Sequence, residues 1–125
     1  MEKIARDEHL EYSFRIASGE IQDFDIETPE KILEKVHAFL YNHLPMQRNY
    51  SAPKVFLERK SKLKHQSLTI AKQSLMEAYE EFELFFKQNK ESRTKNAVFG
   101  ELNKFEWDVC HTKNLNHHFK QFGLL

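Results

Sequence analysis

Residues that break helices are scarce in this chain. It has three glycines and three prolines in 125 residues, so long stretches run without the two residue types that end or kink helices. Alternating runs of β-branched residues are missing as well, and no sheet is expected. A single cysteine, Cys110, excludes an internal disulfide. No apolar stretch approaches a membrane span or a signal-peptide core, which points to a reducing cytoplasm and no membrane partner. Charge of one sign is also lacking. Lys and Arg number 19, as do Asp and Glu, for a formal net charge of zero. No overall field draws the protein to nucleic acid or to an anionic surface.

What the chain does have is aromatic bulk. Eleven Phe, four Tyr and one Trp supply a core large enough for one domain over residues 1–125. The spacing predicts a first helix from about Glu2 to Ser18, with Ala5, His9, Tyr12 and Ile16 on one stripe, widened by Leu10, Phe14 and Ala17, and with Gly19 as its C-cap. Thr28-Pro29 predicts the start of a second helix carrying Ile32, Leu33, Val36, Leu40 and His43, closed by Leu44-Pro45. Residues 46–62 read as a connecting loop. The strongest helical pattern follows in Leu68, Ala71, Leu75, Ala78, Phe82 and Phe85. A second loop from Asn89 to Leu102 carries Val98-Phe99-Gly100, whose apolar pair is expected to fold back onto the core.

The last helix has the clearest signals. Asn103 and Glu106 stand at capping-box spacing, Leu102 and Trp107 at the spacing of a hydrophobic staple, and Gly123 marks the end after Phe122. On a helical wheel Trp107, His111, Asn114, Leu115, His118 and Phe122 share one face, which is expected to look inward. His117 and Cys110 lie at its edge, and Lys113 and Lys120 lie away from it. Positions 114 and 118 are one turn apart, the spacing at which two side chains of one helix can hold a single metal ion. Position 114 is Asn, however, and His111 is two turns from His118. The alternative is a set of core or boundary histidines bonded to backbone or carboxylates. His37, His43 and His65 stand on other segments without partners at ligand spacing. The basic run Lys54, Arg59, Lys60, Lys62, Lys64 and His65, interrupted by Glu58, reads as a solvated loop and not as a nucleic-acid surface.

Three strings carry a family resemblance: Val98-Phe99-Gly100-Glu101-Leu102, Phe105-Glu106-Trp107, and Leu115-Asn116-His117-His118-Phe119-Lys120-Gln121-Phe122-Gly123. In order and without gaps, they resemble the ending of a branch of the DinB/YfiT-like superfamily. His9-Leu10-Glu11-Tyr12-Ser13-Phe14-Arg15-Ile16-Ala17-Ser18-Gly19-Glu20 resembles the first histidine helix of that branch. The resemblance implies an all-α four-helix bundle, trimmed at its N-terminus and often dimeric. It further implies a divalent metal, zinc or nickel, and an activity like that of thiol transferases acting on small thiols. It implies His9 and His118 as metal ligands, with Gln121 completing the His-x-x-Gln signature. Asn114 stands where the family carries another His, and His111 and His117 are the residues that could compensate. Glu8, Glu11 and Tyr12 lie close enough in sequence to His9 to support it. If the site has decayed, the implied function is a non-catalytic helical protein used for dimerisation or partner binding.

Overall fold

A computed structural model describes residues 2–42, 44 and 67–121, without the side chains of 2, 3, 5 and 116–121. Among these, the order is α1 (Glu2–Ala17), α2 (Glu30–Ala38) continued by a 3-10 turn (Phe39–Tyr41), α3 (Leu68–Gln88), a hairpin of β1 (Thr94–Asn96) and β2 (Gly100–Leu102), and α4 (Lys104–Gln121). The loop expected at 46–62, Pro45, His43, His65, the basic run and Gly123 lie outside the described residues.

Local chemistry sets the helix ends. Gly19 takes φ +84, and its N–H reaches Ile16 O at 3.0 Å while that of Glu20 reaches Arg15 O at 3.0 Å. This closes α1 by the left-handed turn that glycine permits. Ser67 opens α3 by accepting the N–H of Ile70 on its hydroxyl at 3.2 Å. Thr28 does not cap α2, because its hydroxyl donates to Val98 O on the hairpin turn. The helix is shorter than expected, giving way at Phe39 to the 3-10 turn.

The central pairing is α1 on α3, which run in the same direction. Phe14 meets Tyr79 edge-on at 5.3 Å and Phe82 at 5.2 Å, the adjacent Arg15 reaches Glu81, and further along both helices Gly19 lies against the Phe85 ring. On α3 the buried stripe is Ala71, Ala78, Phe82 and Phe86, and its small members allow a neighbouring backbone to come close. Running opposite to both, α4 bridges them through large side chains. Trp107 Nε1 donates to Thr94 Oγ1 at 2.7 Å, and that hydroxyl donates to Ala17 O at 2.6 Å. Lys104 reaches Glu83 at 3.3 Å. Phe14, Ile16, Phe82, Leu102, Trp107 and Cys110 form the middle of one apolar core. No helix among the described residues is long and apolar enough to cross a membrane.

The expectation of an all-α four-helix bundle is corrected. The fold is mainly helical, but Thr94, Lys95 and Asn96 pair antiparallel with Leu102, Glu101 and Gly100. Strands of three residues are too short to show alternation, so the segment reads as loop. Its turn is specified instead by Asn96, whose Oδ1 accepts the N–H groups of Val98 at 2.8 Å and Phe99 at 2.9 Å. Gly100 completes it at φ +85, and a Cβ there would lie 3.4 Å from Leu33 Cδ1. Glycine therefore serves both the turn and the close approach of α2. Phe99 is buried and Val98 half-buried, so this segment does fold back onto the core.

The inward face of α1 also differs from the expected stripe. Leu10, Phe14 and Ala17 are buried, but so are Asp7, Glu11 and Ser13, whereas His9 and Tyr12 are only half-buried. Neighbours on more than one side of α1 blur its amphipathic pattern. Glu11 is accommodated by Arg15 Nε at 2.9 Å, a charge-assisted bond between adjacent turns.

Candidate functional site

The expected capping box opens α4. Glu106 N–H donates to Asn103 Oδ1 at 2.9 Å, and Asn103 N–H donates to Glu106 Oε1 at 2.9 Å. The staple residues Leu102 and Trp107 are both buried in the core. With its start fixed, α4 presents Trp107 and His111 inward as expected, with Asn114 and Leu115 half-buried. The buried arc is wider than the wheel predicted, since Cys110 and Lys113 lie within it. Lys113 is a plain correction. Its Nζ lies over the Phe39 ring, 4.5 Å from the centroid, and donates to Asn42 O at 3.0 Å and Leu44 O at 2.5 Å. It ties α4 to the end of the 3-10 turn, so its apolar stem is covered while its charge meets carbonyls.

Cys110 behaves as a packed small hydrophobe. Burial pushes its thiol up to about 12, and Asn96 and Asn114 donate to Sγ at 3.9 and 3.8 Å. A thiol held protonated is not a nucleophile.

His111 is the chemically distinctive residue of the described α4. It is 5 % exposed and enclosed by rings: Trp107 stacked at 5.3 Å, Phe14 at 4.1 Å and Phe82 edge-on at 5.5 Å. Nε2 lies 2.9 Å from Ser13 Oγ on α1. Nδ1 is buried without a hydrogen-bond partner. Burial pushes the imidazole down to about 3, and the nearby charges of His9 and Lys104 act in the same direction. The ring is therefore neutral, with one nitrogen fixed and the other uncommitted.

The structure thus brings His9 and His111 into one electrostatic neighbourhood across α1 and α4, with Ser13 one turn beyond His9. Asn114 is close in sequence but is engaged with Cys110. The side chains of His117, His118 and Gln121 lie outside the described residues, although the backbone at those positions continues α4. Among the described residues no group of three or more His, Cys, Asp or Glu is arranged to hold a metal ion. The sequence reading missed Ser13, whose signal was its i, i+4 relation to His9.

A second polar cluster was missed entirely. His37 on α2 faces two acceptors, Phe99 O from Nδ1 at 3.1 Å and the Glu106 carboxylate from Nε2. The same carboxylate accepts Tyr41 Oη–H at 2.7 Å. Burial alone would raise the Glu106 carboxyl, but the Asn103 N–H, the Tyr41 hydroxyl and the His37 ring together hold it below its ordinary value. The available signal was again spacing, because Leu33, His37 and Tyr41 step by four along one face. No ring nitrogen of His37 is left over for proton transfer, so the cluster is a clasp and not a catalytic dyad.

No family model, curated protein or solved structure matches the chain.

Proposed function

We propose that this chain is a DinB-like protein that binds a divalent metal, zinc or nickel, where α1 faces α4, with His9 and His118 as imidazole ligands and a small thiol as substrate. The observation that carries this reading is His111, a neutral, buried imidazole with one nitrogen held at Ser13 and the other unpartnered, beside His9. A ring kept neutral by burial and fixed through its second nitrogen is in the state that metal coordination requires.

In this reading Ser13 Oγ accepts the Nε2–H of His111 and holds the ring in place, and Trp107, Phe14 and Phe82 exclude water from it. His9 and His118 hold the ion, and His111 completes the polar lining. When bound, such an ion supplies Lewis acidity toward a thiol or water. The absence of a membrane-crossing helix among the described residues supports a cytoplasmic setting for this chemistry. A homodimer is part of the same proposal.

Elemental analysis of protein purified without a His tag tests it. Wild type is expected to carry about one zinc or nickel per chain, and His118→Ala and His9→Ala to lose it. No metal in wild type, together with no thermal shift on adding zinc or nickel, sinks the reading.

One observation favours a second reading, a non-catalytic helical protein that acts by dimerisation or partner binding. Asn114, at the position of a family ligand, has its amide on Cys110 Sγ. This reading expects His118→Phe to leave stability unchanged or raised.

A further inference from the structure

The hairpin that sets this fold apart from a plain helical bundle puts one buried hydroxyl where three elements meet. Thr94 opens β1, paired with Leu102 across the ladder. Its single hydroxyl proton is committed, because Ala17 O at the end of α1, 2.6 Å away, can only accept. A lone pair is left for an N–H, and Trp107 Nε1 of α4 supplies it at 2.7 Å. The direction of the bonds is therefore fixed, from indole to hydroxyl to carbonyl. The indole in turn lies stacked on His111 one turn along α4, 25° from parallel with centroids 5.3 Å apart. Core packing closes a slot around this flat ring. The torsion that turns an indole about its Cβ is close to two-fold, however, so a slot of the right width accepts it either way round. The bond to Thr94 selects one.

We propose that Thr94 is a positioning residue for the site between α1 and α4: its hydroxyl fixes the Trp107 indole, and the fixed indole sets the plane of the His111 ring. Ser13 holds that ring at Nε2 and the indole holds its face, so the two together decide where the unpartnered Nδ1 points. What the site binds rests on the metal reading above, whereas the role of Thr94 rests on the bonds and the stack alone. The side chain suits the task. Valine would keep its branched shape on the strand but lose both bonds, leaving the indole N–H and Ala17 O buried without partners. Serine would keep both bonds and lose only the methyl that faces Gly19.

Nitrogen-15 spectra of the His111 imidazole in the full chain, recorded at neutral pH without metal and followed by titration with zinc, test the assignment. Wild type and Thr94→Ser are expected to give one sharp set of ring signals, and Thr94→Val a broadened or doubled set. Zinc affinity is expected to fall by about tenfold or more in Thr94→Val and to be kept in Thr94→Ser. A Thr94→Val protein with wild-type ring signals, whatever it loses in stability, overturns the proposal, because the hydroxyl would then support the fold and not the ring. A Thr94→Ser protein that behaves like Thr94→Val overturns it as well, as does zinc affinity left unchanged by Thr94→Val. If wild type takes up no zinc, the metal reading fails and the ring signals alone decide for Thr94. Should Thr94→Val not fold, Trp107→Phe takes its place, since it keeps a ring in the slot without an N–H to be held. Wild-type His111 signals in that variant overturn the proposal, and broadened or doubled ones support it.

Discussion

Two neighbouring turns of α4 treat polar groups in opposite ways. At its start the groups of the clasp are matched: Asn103 and Glu106 cap each other, His37 and Tyr41 share the Glu106 carboxylate, and Trp107 Nε1 reaches Thr94. One turn further, His111 Nδ1 is buried with no partner, and on α1 so is Asp7 Oδ2, whose other oxygen meets Arg6 at 3.3 Å. Both residues are at least nine-tenths buried. A satisfied polar network rigidifies and specifies a fold, while an unsatisfied buried group destabilises it unless something else binds there. The first region is architecture, and the second is where a ligand has something to complete.

Substitutions at the satisfied end should be the costly ones. Trp107→Ala removes a wholly buried indole and the donor to Thr94, and should cost about 4 kcal/mol in urea unfolding. Glu106→Gln comes next, at about 2–3 kcal/mol, because the His37 and Tyr41 donors lose their shared anion. This variant also tests the sign of a pH effect. The native Glu106 carboxyl lies below the ordinary value of 4.5, so its stabilisation is present above that value and disappears as pH falls through the native one. Unfolding of Glu106→Gln should lack this acid-sensitive component, and an unchanged acid limb would show that the clasp is not what senses acid. Lys113→Met keeps the stem and loses the two carbonyl contacts, and should cost about 1 kcal/mol. Its effect should appear chiefly as faster hydrogen exchange around Asn42. A uniform loss across α1 and α3 would mean that Lys113 supports the core and not the segment that follows the 3-10 turn.

The same contrast explains what could be read from the chain. The start of α4 was legible because Asn103, Glu106, Leu102 and Trp107 are near neighbours in sequence, and a cap is a local device. Gly19 and the long stripe of α3 were legible for the same reason. The hairpin was not, because its instruction is one asparagine side chain turning three residues, with strands too short for a period of two. His37 was missed because its partners, Phe99 and Glu106, are more than sixty residues away, and its spacing with Leu33 and Tyr41 marks a face of α2 without naming what that face meets. Lys113 was misplaced because the wheel allows α4 one inward face, while the end of the 3-10 turn covers the side on which Lys113 stands and supplies carbonyls for its ammonium. Of the candidate site, the wheel placed His111 inward but could not supply Ser13, which belongs to another helix.

The smallest effect expected in stability is the most informative about function. His111→Phe keeps the ring among Trp107, Phe14 and Phe82 and removes the unpartnered nitrogen. The Ser13 contact is lost, and the gain and loss should leave stability at neutral pH within about 1 kcal/mol of wild type. The pH dependence should change more clearly. The folded ring is held at about 3, against an ordinary 6.5, so below 6.5 the unfolded chain binds a proton that the folded chain does not. Stability from this group is therefore complete above about 6.5, declines as pH falls toward about 3, and declines no further below that. His111→Phe should flatten the decline in that window and leave the lower, Glu106-dependent limb in place. If His111→Phe instead unfolds the protein at neutral pH, the Ser13 contact belongs to the architecture, and the distinction between the two turns of α4 fails. If the variant is stable but binds no zinc or nickel where wild type does, the unpartnered nitrogen is part of the metal-binding lining and not a tolerated defect of the core.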